Sequence, residues 1–191
     1  MTYTVTVNTA EGSETPAKSA IARARNIGKG RASLVSILPS RTAIYMRDEG
    51  PQDSPFAGPT ISNGHWLLTR PKGATKAFDA LWDKASKLVD AGKLESRPVT
   101  SSTFERVLPG DHYKATDIRP DIDVEVSKER GLGTVSNALC TTDKGKRVAF
   151  DVKYLAPILN CGLTLKAFDE YSAAIVCDGD AVVGLLMPRR L

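Results

Sequence analysis

The chain of 191 residues is 41% hydrophobic and 25% charged, a balance that supports a buried core in one domain or two small ones. Its 26 lysines and arginines against 22 aspartates and glutamates leave a net charge of +4, which excludes an acidic disordered tail and permits nucleic-acid binding without requiring it. No apolar run approaches the roughly 20 residues of a membrane span. The opening MTYTVTVNTAEGSE lacks the basic and apolar blocks of a signal segment, and Cys140, Cys161 and Cys177 have no metal-like spacing. The expected setting is therefore cytoplasmic, with reduced and buried thiols.

Tyr3, Val5 and Val7 alternate with Thr4, Thr6 and Asn8, which predicts a half-buried strand. Thr15-Pro16 supplies an N-cap and a proline suited to the first helical position, and Gly28 supplies a stop. A helix over 15–27 then puts Ala17, Ala20, Ile21 and Ala24 on one face. Lys18, Ala22, Arg25 and Lys29 lie on another, with Arg23 beside them. From Lys18 to Arg31 there are five basic residues and no acidic one, the most lopsided charge in the chain. Apolar runs at Ser33–Leu38, Ala43–Met46 and Ile61–Thr69 read as three strands, with a Pro/Gly-rich loop over 49–59 before the last.

The middle reads differently. Phe78, Leu81, Trp82, Ala85, Leu88 and Val89 recur at helical spacing over 75–91, with mixed charge on the other face. Between 93 and 145 signals are sparse, apart from Thr103–Pro109 and the alternation of Ile122, Val124 and Val126. Acidic residues outnumber basic ones by 8 to 6 over 101–145, a poor composition for a DNA-facing segment. After it, Arg147–Phe150 reads as a strand, and Asp151 caps a helix running from Val152 to Cys161. Leu163–Phe168, Ala173–Cys177 and Ala181–Met187 are strands, the last two joined at Asp178-Gly179. Strand, helix and three strands thus occur twice, over 1–70 and over 146–191, around a dissimilar segment, 71–145. The expected class is α+β: two βαβββ halves in one unit, with helices on one face of antiparallel sheets.

The chain has no glycine-rich phosphate loop, no His-Glu-x-x-His and no Gly-x-Ser-x-Gly. His65, within an apolar run, and His112, in a polar loop, read as structural or solvated. Asp121 and Asp123 share one side of a strand without a third ligand, which reads as a solvated edge. The expectation is a protein without catalysis, metal or cofactor.

Three segments carry a resemblance. The C-terminal stretch starts Val148-Ala149-Phe150-Asp151-Val152-Lys153-Tyr154-Leu155 and ends Leu185-Leu186-Met187-Pro188-Arg189-Arg190-Leu191. Upstream lie Phe104-Glu105-Arg106-Val107-Leu108-Pro109 and Ser62-Asn63-Gly64-His65-Trp66-Leu67-Leu68. In this order they resemble segments of the bacterial DNA polymerase III beta sliding clamp family, whose chains end in a Val-Met-Pro-Met-Arg-Leu type of sequence. The resemblance implies a DNA-clamp-like fold and a processivity factor in DNA replication, assembling head to tail into a ring around double-stranded DNA through its edge strands. It implies a partner-peptide pocket for polymerase or clamp-loader motifs, formed here by Leu67, Val107, Leu108, Leu186, Met187, Pro188 and Arg189. Lys18, Arg23, Arg25, Lys29 and Arg31 would then meet phosphate without reading bases.

Differences from the family are specific. The chain is about half the length of a three-domain clamp. Arg189 stands where methionine is usual, Trp66 where arginine is usual, and Pro157 falls within the last helix. An alternative expectation is accordingly a monomeric clamp-fold module that binds or regulates replication proteins without closing a ring.

Overall fold

The computed structural model describes residues 2–9, 18–30, 33–38, 45–47, 60–70, 76–96, 114–129 and 133–190. The alternating N-terminal segment forms β1 (Thr4–Thr9), with Val5 and Val7 half-buried against the core. It leads to α1 (Lys18–Arg25), which buries Ala20 and Ala24. The expected cap at Thr15-Pro16 lies outside the described residues. Beyond α1 the chain tightens through bonds from Asn26 N–H to the Arg23 carbonyl and from Ile27 N–H to the Ala24 carbonyl, then turns at Gly28 with φ +74°. A Cβ there would lie 2.7 Å from Tyr3 Cδ2, so this glycine both ends the helix and lets β1 pass close beneath it.

Ser33–Leu38, expected as a strand, is instead a 3-10 turn over Leu34–Ile37. Ser33 Oγ accepts from Val35 N–H at 3.2 Å, and Leu34 and Ile37, three residues apart, are both buried. Spacing of i and i+3 stacks side chains in a 3-10 helix, whereas a run of apolar letters reads as a strand. β2 follows (Tyr45–Arg47). The single strand expected over 61–69 is a hairpin of β3 (Thr60–Ser62) and β4 (Trp66–Thr69), with Ser62 opposite Leu67. α2 (Lys76–Asp90) packs against the 3-10 turn and buries Phe78, Leu81, Trp82 and Ala85.

The sparse middle holds the longest strands, β5 (Thr116–Glu129) and β6 (Gly133–Thr142). β7 (Arg147–Asp151), α3 (Val152–Asn160), β8 (Thr164–Ala167), β9 (Ala174–Asp178) and β10 (Ala181–Leu186) complete the fold. Asp151 caps α3 as expected, its Oδ1 accepting from Lys153 N–H at 2.8 Å. Pro157 lies inside α3, fully packed. The β9–β10 loop is Gly179-Asp180, one residue later than expected, because Asp178 still pairs with Ala181 and Gly179 takes φ +58°.

The described strands make one ten-stranded sheet in the order β2-β3-β4-β10-β9-β8-β5-β6-β7, with β1 added on β5. Two meanders, β2-β3-β4 and β8-β9-β10, therefore meet through their last strands, Leu185 opposite Leu67 and Leu186 opposite Trp66. The β5–β6 hairpin connects the first strands of the two units. β5 pairs with β8 through Thr116 and Asp117, loses register between Ile118 and Ile122, and then pairs with β1 from Asp121 to Val126. Pro120, which has no N–H to give the ladder, falls within that irregular step.

The α+β class stands. Strand, helix and three strands do recur, but the first unit takes its three strands from Tyr45–Arg47 and the divided 60–69 segment, and the sheet carries a further correction. β1 runs parallel to β5, so the sheet is not purely antiparallel. Alternation assigns faces to a strand but not its direction.

All three described α-helices and the 3-10 turn share one core with inward residues of β3 to β10, including Trp66, Ile122, Val124, Phe150, Leu165, Val176 and Leu186. A smaller apolar cluster of Leu67, Ala173, Ile175, Cys177 and Leu185 sits on the opposite face of the two meanders. No described helix is long and apolar enough to cross a membrane.

Candidate nucleic-acid and partner-peptide surfaces

Lys18, Arg23 and Arg25 on α1 and Lys29 just after it are all exposed. None of the four forms an ion pair with a described residue. Lys18 and Arg25 are two turns apart on one side, about 10 Å along the axis, whereas Arg23 is about 200° around the helix from Arg25. The cations thus fan over the exposed half of α1 instead of forming one row, while Ala20 and Ala24 face the sheet. Arg31 lies outside the described residues. On the far side of the same sheet, Asp121, Asp123 and Glu125 alternate with buried Ile122, Val124 and Val126 and point to solvent. The α1 side of this sheet therefore presents cations, and β5 carries an acidic stripe on the other side.

The residues expected to form a peptide pocket are divided. Leu67 belongs to the outer apolar cluster and Leu186 to the main core. The register explains the split: Leu67 faces Leu185, Leu186 faces Trp66, and neighbours along a strand point to opposite sides. Trp66 consequently turns into the core, 1% exposed, and does not extend an apolar surface beside Leu67. Met187 is exposed, and Pro188 and Arg189 are half-exposed. Val107 and Leu108 lie outside the described residues, as does His112.

What the fold does bring together is the β3–β4 turn, the first turn of α3 and the C-terminal tail. The turn is tied by side chains. Asn63 Oδ1 accepts from His65 N–H at 3.0 Å and from Trp66 N–H at 3.2 Å, and Ser62 Oγ accepts from Gly64 N–H and donates to the Trp66 carbonyl. Gly64, at φ +85°, completes it.

His65, expected within a strand, is exposed in this turn, and its ring stacks on Tyr154 of α3 at 5.6 Å and 18°. Asn63 Nδ2 donates to the Tyr154 hydroxyl at 3.4 Å, and Lys153 Nζ lies 5.2 Å from the Tyr154 ring centre. The tail joins from the other side. Met187 N–H donates to the His65 carbonyl and Arg189 N–H to the Ala149 carbonyl, both at 2.8 Å. Arg189 Nη1 approaches Asp151 Oδ2 at 3.7 Å.

Asn63, His65, Lys153 and Tyr154 thus belong to this corner although the sequence reading did not assign them to the pocket. Each lies in a segment that carries the resemblance. The corner presents an aromatic pair, an exposed methionine and two cations, a surface suited to holding a peptide.

Among the described residues no group of His, Cys, Asp and Glu is arranged to hold a metal ion. Cys140, Cys161 and Cys177 are free thiols. Burial pushes Cys140 up to about 12 and raises the other two as well, so none is prepared as a nucleophile. No protein-family model matches the chain, and neither curated proteins nor solved structures include a match to it.

Proposed function

We propose that the chain is a DNA sliding-clamp-like processivity factor that acts without catalysis. It binds duplex DNA through the cations of α1 without reading sequence, and it tethers a polymerase or clamp-loader peptide at the corner of the β3–β4 turn and the tail. One observation carries the reading. Two strand-helix-three-strand units join through β4 and β10, and this junction sets the 62–66 turn against the Met187–Arg190 tail. These are two of the three segments in which the resemblance resides. The cations of α1, without an ion-pair partner among the described residues, and the acidic stripe on β5 agree with it, since phosphate would be drawn to the helix and repelled from that stripe.

Replacing Arg23 and Arg25 by glutamate tests the DNA surface. Both side chains are exposed, so the fold is expected to hold. Affinity for a short duplex at low salt should fall by at least tenfold, with a shallower salt dependence because fewer counterions are released. Unchanged affinity in the folded variant contradicts the assignment.

A second reading, a monomeric module that binds replication proteins, has its own support. Arg189 N–H occupies a carbonyl on β7, the strand at one end of the sheet order. A strand edge engaged by the chain's own tail is less open to pairing with a second copy. Solution mass separates the two readings.

A further inference from the structure

On the sheet face away from α1 there is an open cleft of about 430 Å³, lined by Glu125, Leu139, Arg147, Ala149, Glu170, Tyr171, Arg189 and Arg190. Its volume falls in the range of ligand sites, roughly 300–1,000 Å³. The floor is apolar: Leu139 lies directly opposite Ala149 across β6 and β7, and both are buried. Arg189 is engaged with Asp151, but Arg147 and Arg190 have no ion-pair partner among the described residues.

The two acids of the cleft leave the arginine end open. Glu125 is level with Asn137 and Asp151 in the ladder. That puts it four residues along and two strands across from Arg147, about 13 Å and about 10 Å respectively. Glu170 interacts with its neighbour Tyr171, whose hydroxyl hydrogen-bonds to it. Tyr171 itself is 66% exposed at the cleft, its ring offering an amphipathic surface at the rim. Guanidinium groups with no ion-pair partner among the described residues, an apolar floor and a projecting aromatic ring are the features from which protein contacts are usually built.

We infer that this cleft receives an acidic peptide segment of a partner protein. A carboxylate side chain lies against Arg147 and Arg190, and an adjacent aliphatic side chain rests on Leu139 and Ala149. The apolar floor decides for a peptide carboxylate over free phosphate. A peptide carboxylate can bridge Arg147 and Arg190 while its neighbouring side chain covers Leu139 and Ala149, whereas inorganic phosphate would leave that apolar floor in water. The surface is distinct from the α1 cations and does not depend on DNA binding.

The test is a chemical-shift titration of the intact protein with N-acetyl-Glu-Leu amide, repeated with N-acetyl-Gln-Leu amide and with inorganic phosphate. The inference expects saturable shifts at Arg147, Ala149, Tyr171 and Arg190 with the glutamyl peptide. Binding should weaken at least fivefold with the glutaminyl peptide, and at least tenfold in an Arg147→Ala, Arg190→Ala variant that keeps its native spectrum. Equal response to both peptides, equal response to phosphate, or no response at these positions overturns it. Shifts at these positions that appear on concentrating the protein alone assign the cleft to a second copy and overturn it too.

Discussion

At the residue scale, Gly184 is the described glycine with the tightest surroundings. It lies in β10 opposite Leu68 and Val176, and a Cβ there would collide with the Leu67 carbonyl oxygen and stand 2.7 Å from Leu68 Cδ2. The obstacle is backbone, which a rotamer change cannot clear. Gly184→Ala is therefore expected to cost about 1–3 kcal/mol or more, read as a lower urea midpoint with an unchanged slope.

Titration gives a second residue-scale prediction. Burial raises Cys140 from 9.0 to about 12. Tyr3 rises from 10.0 to about 12, by burial first and then by the charges of Cys140 and Asp117. As pH climbs from about 9 to about 12 the unfolded chain releases these protons while the native state keeps them. The unfolded state then binds fewer protons, so stability falls as pH rises through this window. The urea midpoint should be lower at roughly pH 11 than at roughly pH 8, and less so in Cys140→Ala. A midpoint independent of pH over that interval contradicts the burial of both groups.

At the scale of elements, the β3–β4 turn depends on Asn63, whose side-chain oxygen satisfies two backbone N–H groups while its amide nitrogen reaches Tyr154. Asn63→Ala should cost about 1–2 kcal/mol, and Asn63→Asp, which keeps the acceptor, should cost less when measured by urea unfolding. The turn also shows what the sequence made legible. Asn63-Gly64 is a turn signal, but it stands inside an apolar run, and reading the run as continuous buried it. The 3-10 turn at Leu34–Ile37 was hidden for a related reason, since four residues are too few to display a period. α2 and α3 were recognised nearly to their ends. One has a long apolar stripe, and the other has Asp151 before it and Gly162 after it. The α1 cations were legible because no acidic residue interrupts them. The peptide corner was not, because its contacts join residues about 90 and more than 120 positions apart in the chain.

For the whole molecule, the hairpin of β5 and β6 changes the picture most. In sequence 71–145 is a dissimilar middle with few signals, yet these strands connect β1, β7 and β8 into one sheet. β6 escaped notice because the positions on its core-facing side are filled by Ser136, Ala138, Cys140 and Thr142. These small side chains give little hydrophobic signal, and α1 and α3 both pack on this strand, where small residues allow close approach. The doubled unit was visible in the order of elements, but the pairing of β4 with β10 and the parallel β1 were not, since neither leaves a local trace.

The account's central claim is a clamp-like assembly on duplex DNA. Sedimentation velocity of the protein mixed with a short labelled duplex at low salt tests it most directly. The account predicts a closed oligomer, an integral multiple of the 20.5 kDa chain, with the duplex moving alongside it. A 20.5 kDa monomer that leaves the duplex sedimenting alone would contradict it.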